Sequence, residues 1–150
     1  MKTRLVDTSK PEIDSALIWL QQQIFPADEV LSPDKGWWWL VSDDESPVAF
    51  AAMLDVPSWP GSAYMARCGV LRKYRGRGLQ RRLLAVRERK ARDLGMQRVI
   101  TSTYNNPPSA NNLIARGFLT YEPQHRWGAP DTIYWVKSLS KEEVSCPGKL

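Results

Sequence analysis

A chain of 150 residues has the length of one ordinary domain and can bury a core of its own. With 43% hydrophobic and 25% charged residues it has a globular composition, which excludes a disordered chain, and no apolar run is long enough to span a bilayer. The net charge of +5 is concentrated between Arg72 and Arg92, where Glu88 alone opposes ten cations, so an anionic partner or a solvated basic face is needed.

Met1 to Asp7 contains basic residues with no apolar segment behind them, so no secretion signal is expected and a cytoplasmic location is. Cys68 and Cys146 are too few for a disulfide framework and lack metal-ligand spacing; both read as reduced thiols, with no metal site. Residues 3–6 form a short opening strand. A helix then starts with Ser9 as N-cap, Pro11 in the first turn and Glu12 three residues beyond the cap, and Ile13, Leu17, Leu20 and Ile24 give it an apolar stripe. Residues 26–35 are an acidic connection. Strands follow at 36–41 and 47–56, joined by a turn over 42–46, and another at 63–71.

From residue 78 to 94 the period becomes helical. Leu79, Leu83, Leu84, Val86, Ala91 and Leu94 share a face, Arg81, Arg82, Glu88, Arg89 and Arg92 lie opposite, and Arg87 and Lys90 intrude on the apolar side and are expected to reach out to water. Gly95 stops that helix. A strand at 97–104, a short helix at 109–116 and strands at 118–121 and 132–136 complete the order, leaving a polar tail over 139–150 after a single α/β domain over 1–138.

The chemistry concentrates in Cys68-Gly69-Val70-Leu71-Arg72-Lys73-Tyr74-Arg75-Gly76-Arg77-Gly78-Leu79-Gln80. A strand enters a basic turn punctuated by glycines, and the turn opens directly into an amphipathic helix. Glycines let a backbone approach closely, the first N–H groups of a helix have no internal partner, and the helix dipole favours negative charge there. Arg75 and Arg77 add charge-assisted contacts. A plain turn with a basic helix behind it accounts for the same residues. The spacing is not the dinucleotide fingerprint, because Arg81 stands where a third glycine belongs, and no Gly-Lys-Ser/Thr of a Walker loop follows.

Residues 70–80, with the helix behind them, resemble motif A of the GNAT superfamily of N-acetyltransferases, Arg/Gln-x-x-Gly-x-Gly/Ala, with Arg75, Gly78 and Gln80 on its three positions. Asn106-x-x-Ser109 followed by Gly117-Phe118 resembles a second family segment, and the element order matches from residue 3 to about 137. The resemblance implies a mixed, mostly antiparallel central sheet, flanked by helices and splayed between the fourth and fifth strands. It also implies acetyl-CoA as cofactor, its pantetheine arm in that gap on the main-chain groups of Val70 and Leu71. The pyrophosphate would rest on the amides of Arg75, Gly76, Arg77, Gly78, Leu79 and Gln80, with Asn106 and Asn111 toward the cofactor's far side. Two departures stand out. Gln80 replaces the motif's small last residue, and Leu113 stands where many relatives place a tyrosine that protonates the leaving thiolate. The strand at 63–71 likewise carries Arg67 and Cys68 rather than the carboxylate that often serves as base.

The implied activity is transfer of an acetyl group to a primary amine of a small molecule or protein, by direct attack in a ternary complex. Proton transfer then needs other groups. Asp55 and Glu45 are candidate acceptors and Tyr104 a candidate acid, each with a plain alternative as a solvated turn acid or a packed strand tyrosine. His125 reads as a surface residue and Cys68 as a structural thiol without a histidine partner. Trp37, Trp38, Trp39, Trp59, Trp127 and Trp135 suggest an aromatic-lined region, in part absorbed by core packing, and Asp28, Glu29, Asp34, Asp43 and Asp44 suit either a cationic acceptor or solvent. Two other readings stay open: a catalytically silent acyl-CoA-binding module, and a nucleic-acid binder using residues 72–92. The basic stretch lacks interleaved aromatics apart from Tyr74, so a nucleic-acid partner is not expected. A monomer or homodimer without a membrane partner is.

Overall fold

A computed structural model describes residues 1–140. Its elements are β1 (Lys2–Val6), α1 (Pro11–Ile24), β2 (Trp37–Asp43), β3 (Ser46–Asp55), β4 (Ser62–Val70), a 3-10 turn at Arg72–Tyr74, α2 (Leu79–Asp93), β5 (Arg98–Thr103), α3 (Pro107–Ala115), β6 (Leu119–Tyr121) and β7 (Ile133–Ser138). The strands form one sheet in the order β1-β2-β3-β4-β5-β7-β6. Its β1–β2, β2–β3, β5–β7 and β6–β7 pairs are antiparallel, while β4 and β5 run parallel. This is the expected α/β class with a mixed, mostly antiparallel sheet. No helix among the described residues is long and apolar enough to cross a membrane. Most of the tail, Cys146 included, lies outside the described residues.

The chain divides into two compact units. The first takes Met1–Leu54 and Ala66–Arg87. Its core is Leu17 and Leu20 of α1 against Trp38, Leu40, Phe50 and Ala52 of β2 and β3. Alternation along β2 and β3 delivers those residues to one face, and Trp38 stacks on Phe50 at 6.1 Å. Burying each such side chain stabilises by about 1.5–3 kcal/mol. Trp38 and Trp39 are both buried, so core packing absorbs them. The hairpin is tighter than the sequence suggests: Asp43 faces Ser46, and the two-residue turn Asp44–Glu45 has Asp44 at φ 53°.

The cap of α1 also differs. Lys10 is the N-cap, with no side-chain bond, because the Ser9 hydroxyl is bound 2.6 Å from Asp7 Oδ1, two residues back. A nearby Asx-type partner outcompetes the helix end for the same hydroxyl.

The second unit takes Asp55–Met65 and the described residues from Glu88 onward. Ile100, Tyr121, Tyr134 and Val136 form its cluster, with Val56, Trp59 and Tyr64 packed on it. The β4–β5 ladder covers Ser62↔Arg98 to Tyr64↔Ile100 and then ends, although β4 continues to Val70. α3 begins two residues earlier than expected: Pro107 and Pro108 occupy first-turn positions, and Asn106 is the cap, accepting from the Ser109 N–H at 3.2 Å.

Three expectations about α2 are overturned. Arg87 does not reach water: it is 2% exposed, and its guanidinium donates to the carbonyls of Leu83, Ala52 and Ala66 at 3.1–3.2 Å. Glu88, expected on the solvated face, is 1% exposed. It accepts from Arg92 (2.8 Å), Arg116 (2.5 Å) and Lys137 (2.7 Å). In both places a buried charge is tolerated because hydrogen bonds replace the lost water. Leu94, expected on the apolar face, lies past the helix end and is exposed.

Candidate functional site

In the first unit the chain leaves β4 at Val70 and turns through Arg72–Tyr74, with Tyr74 N–H donating to Leu71 C=O at 2.8 Å. Gly76 and Gly78 follow at φ 78° and 77°, the left-handed region that other residues enter only at a cost. A Cβ on Gly76 would meet nothing within 4 Å, so this glycine is required by backbone conformation and leaves open space beside the turn. The 3.0 Å bond from Arg82 N–H to Gly78 C=O starts the α2 ladder, which leaves the N–H groups just before it at a helix N-terminus outside that ladder. Arg72, Lys73, Arg75 and Arg77 are exposed. None of them forms an ion pair among the described residues. Arg75 is steered across the turn by a 3.2 Å bond from its Nε to Val70 C=O.

At the end of β4, both main-chain groups of Leu71 are engaged: its N–H donates to Val48 C=O at 2.9 Å and its C=O accepts from Tyr74. Because strand residues alternate, the Val70 N–H points away from β3. Ala66 packs on the α1 cluster, and its neighbour Arg67 also faces α1, with Nη1 3.1 Å from Gln21 Oε1 and the guanidinium 5.8 Å from the Phe25 ring centroid. The Arg87 guanidinium bonds the Ala66 carbonyl there. Buried Gln21 in turn binds Leu31 C=O at 2.8 Å and Leu31 N–H at 2.9 Å, fastening the connection between α1 and β2. Asp28, Glu29 and Asp34 in that connection are exposed, as is Glu45 in the hairpin turn. Burial pushes the Cys68 thiol pKa up, so it stays protonated and a poor nucleophile.

In the second unit, Asp55 is exposed at the end of β3, and Tyr104 is 57% exposed just beyond β5. Asn105 beside it is left-handed, φ 50°. Asn106 commits its side-chain oxygen to capping α3, while Asn111 is exposed on that helix. Leu113 is buried in the core, so the position offers neither a proton nor access. His125 is exposed. Trp59 and Trp127 join an aromatic cluster with Tyr64, Tyr121 and Tyr134, the Trp127 and Tyr134 rings lying 4.4 Å apart. The Tyr121 hydroxyl is enclosed without a hydrogen-bond partner among the described residues, and burial lifts its pKa to about 12.

Sequence reasoning passed over Tyr74. Its hydroxyl is 3.2 Å from Asp43 Oδ2, and its ring carries the Arg77 guanidinium at 5.0 Å and the Lys73 ammonium at 5.7 Å. The signal was an aromatic residue bracketed by cations, read there as an isolated exception.

Comparison with known proteins agrees with this fold. The model of the acetyltransferase (GNAT) family matches residues 5–118. No curated protein matches the chain in sequence. Among solved structures, the ribosomal-protein-S18-alanine N-acetyltransferase from Escherichia coli superposes with a TM-score of 0.75 at 15% identity, over 95% of this chain and 96% of that one. An aminoglycoside 6'-acetyltransferase type Ii gives 0.76 at 15% identity, over 95% and 100%. A Bacillus subtilis acetyltransferase in complex with CoA gives 0.74 at 14% identity, over 93% and 99%.

Proposed function

The chain belongs to the acetyltransferase (GNAT) family, and from that premise we propose that it transfers an acetyl group from acetyl-CoA to a primary amine of a small molecule or protein, by direct attack in a ternary complex. Acetyl-CoA is the family's cofactor and supplies the activated acyl group when bound. The observation that carries the reading is the turn at 75–78: two left-handed glycines, open space at Gly76, and exposed Arg75 and Arg77 at the start of a 15-residue helix. These residues suit a diphosphate, because the amides from Gly76 to Leu79 can donate to it while the arginines neutralise it; the Arg75 N–H already donates to Arg72 C=O at 3.3 Å, so Arg75 contributes its side chain. The Val70 N–H, directed away from β3, is the main-chain donor for the pantetheine arm. Leu71, with both groups engaged, contributes less. We assign the cofactor's far end to Asn111 and, beyond its capping role, to Asn106.

The acceptor must be neutral to attack, and a free alkylamine has a pKa of about 10. Asp55 and Tyr104, both exposed, are the proposed proton acceptor and donor. With Leu113 in the core, positioning and backbone N–H donors supply the rest of the rate. We read the enzyme as cytoplasmic, a monomer or homodimer.

The test is incubation with acetyl-CoA and a panel of amines, peptides and lysate proteins. Acceptor-dependent release of free CoA is the expected result. Tight CoA binding without turnover on any acceptor would favour a silent acyl-CoA-binding module, and salt-dependent nucleic-acid binding without CoA affinity would favour the third reading.

A further inference from the structure

Arg77 lies between Gly76 and Gly78, and neither neighbour restrains it. A Cβ on Gly76 would touch nothing, and one on Gly78 would meet only the Arg81 side chain at 3.5 Å. Freezing a free arginine side chain on such a pivot costs rotamer entropy that a fixed contact must offset. Yet the Arg77 guanidinium sits 5.0 Å from the centroid of the Tyr74 ring. A guanidinium lying over a ring offers its face to the aromatic and keeps its in-plane N–H donors for an oxyanion.

Tyr74 is itself fixed at both ends. Its N–H bonds Leu71 C=O, and its hydroxyl donates to Asp43 at the end of β2. Burial together with the Asp43 carboxylate raises the hydroxyl's pKa, so it remains a donor at neutral pH.

We propose that Tyr74 is a positioning residue for the cofactor turn: its ring holds the Arg77 guanidinium ready for a diphosphate, and its hydroxyl anchors the turn to the β2–β3 hairpin. The proposal rests on the diphosphate reading of the turn. The ring acts through Arg77, so only the smaller effect of the Asp43 anchor remains when Arg77 is gone.

The experiment is calorimetric titration of CoA into the wild-type chain, Y74F, Y74L, R77A and Y74L/R77A, at two salt concentrations. Loss of the stacked cation is expected to weaken binding about tenfold in Y74L. Y74F keeps the ring and loses only the Asp43 anchor, for about a twofold to threefold effect. The double variant is expected to bind within about threefold of R77A, the difference being the lost Asp43 anchor, and the salt dependence of Y74L to fall to that of R77A. Melting without CoA checks that the variants fold, and Y74Q repeats the cycle if Y74L does not. Independent, multiplicative effects of the two substitutions overturn the role of Tyr74 while leaving the site intact. Failure of the wild-type chain to bind CoA overturns the diphosphate reading and this inference with it.

Discussion

The two units treat positive charge in opposite ways. All four ion pairs among the described residues lie in the second unit: Glu88 with Arg92, Arg116 and Lys137, and Glu122 with Arg126. In the first unit the buried Arg87 is satisfied by three carbonyls, and the cations of the glycine turn have no carboxylate ion-paired to them among the described residues. Arg87 and Glu88 are neighbours in α2, one on each side of the division. The contrast separates two uses of charge. Where arginines meet carboxylates they fasten elements together, and where they meet none they remain available to an anion from outside.

The largest effect that can break this comparison is at Arg87. Arg87→Ala orphans the Ala52 and Ala66 carbonyls and opens a cavity, so a loss of about 4 kcal/mol is expected in denaturant unfolding. A loss below about 1 kcal/mol would mean that water replaces the guanidinium. Next is Glu88→Ala, which strands three cations and is expected to cost about 3 kcal/mol. Gly78→Glu puts a carboxylate where the diphosphate is assigned. It should weaken CoA binding at least a hundredfold, close to 2.7 kcal/mol, and lower stability by about 1 kcal/mol for the left-handed backbone. Unchanged CoA affinity there would count heavily against the site.

Acid titration sharpens the second half of the comparison. Burial works to raise the Glu88 pKa, but hydrogen bonds from Lys137, Arg116 and Arg92 outweigh it and hold the carboxyl below the ordinary 4.5. Its folded pKa is therefore depressed, so its stabilisation is present above pH 4.5 and is lost as pH falls through the folded value. Melting from pH 7 to 2 should show that loss in the wild-type chain and a flatter profile in Glu88→Gln. The smallest effect is expected of Arg92→Ala, about 0.5 kcal/mol at most, since Arg92 is half exposed and Glu88 keeps two partners.

Element order and fold class were legible in the sequence because periods of two and 3.6 are written into its apolar residues. The glycine turn was legible as well, since Gly76 and Gly78 have little other physical reason to flank an arginine before a helix. What escaped were residues whose partners lie far along the chain. Polarity alone assigns Glu88 to solvent, and only Arg116 and Lys137, 28 and 49 positions away, explain its burial. Tyr74 and Asp43 are 31 positions apart, joined by a hairpin whose proximity no local pattern reveals. At Ser9 the error was a competition: the motif for a helix cap was present, but so was Asp7. The capping role of Asn106 also went unread, and the Pro107-Pro108 pair was the overlooked sign.

The division of the chain bears on how it comes to be made. Neither unit is a continuous stretch, because the backbone crosses from one to the other at 54/55, 65/66 and 87/88. A chain emerging from the ribosome therefore cannot complete the first unit until residue 87 is out, and residues 62–64 must wait for β5 before they find their parallel partner. By the same connectivity, no single cut of the polypeptide yields a fragment containing one whole unit and nothing of the other.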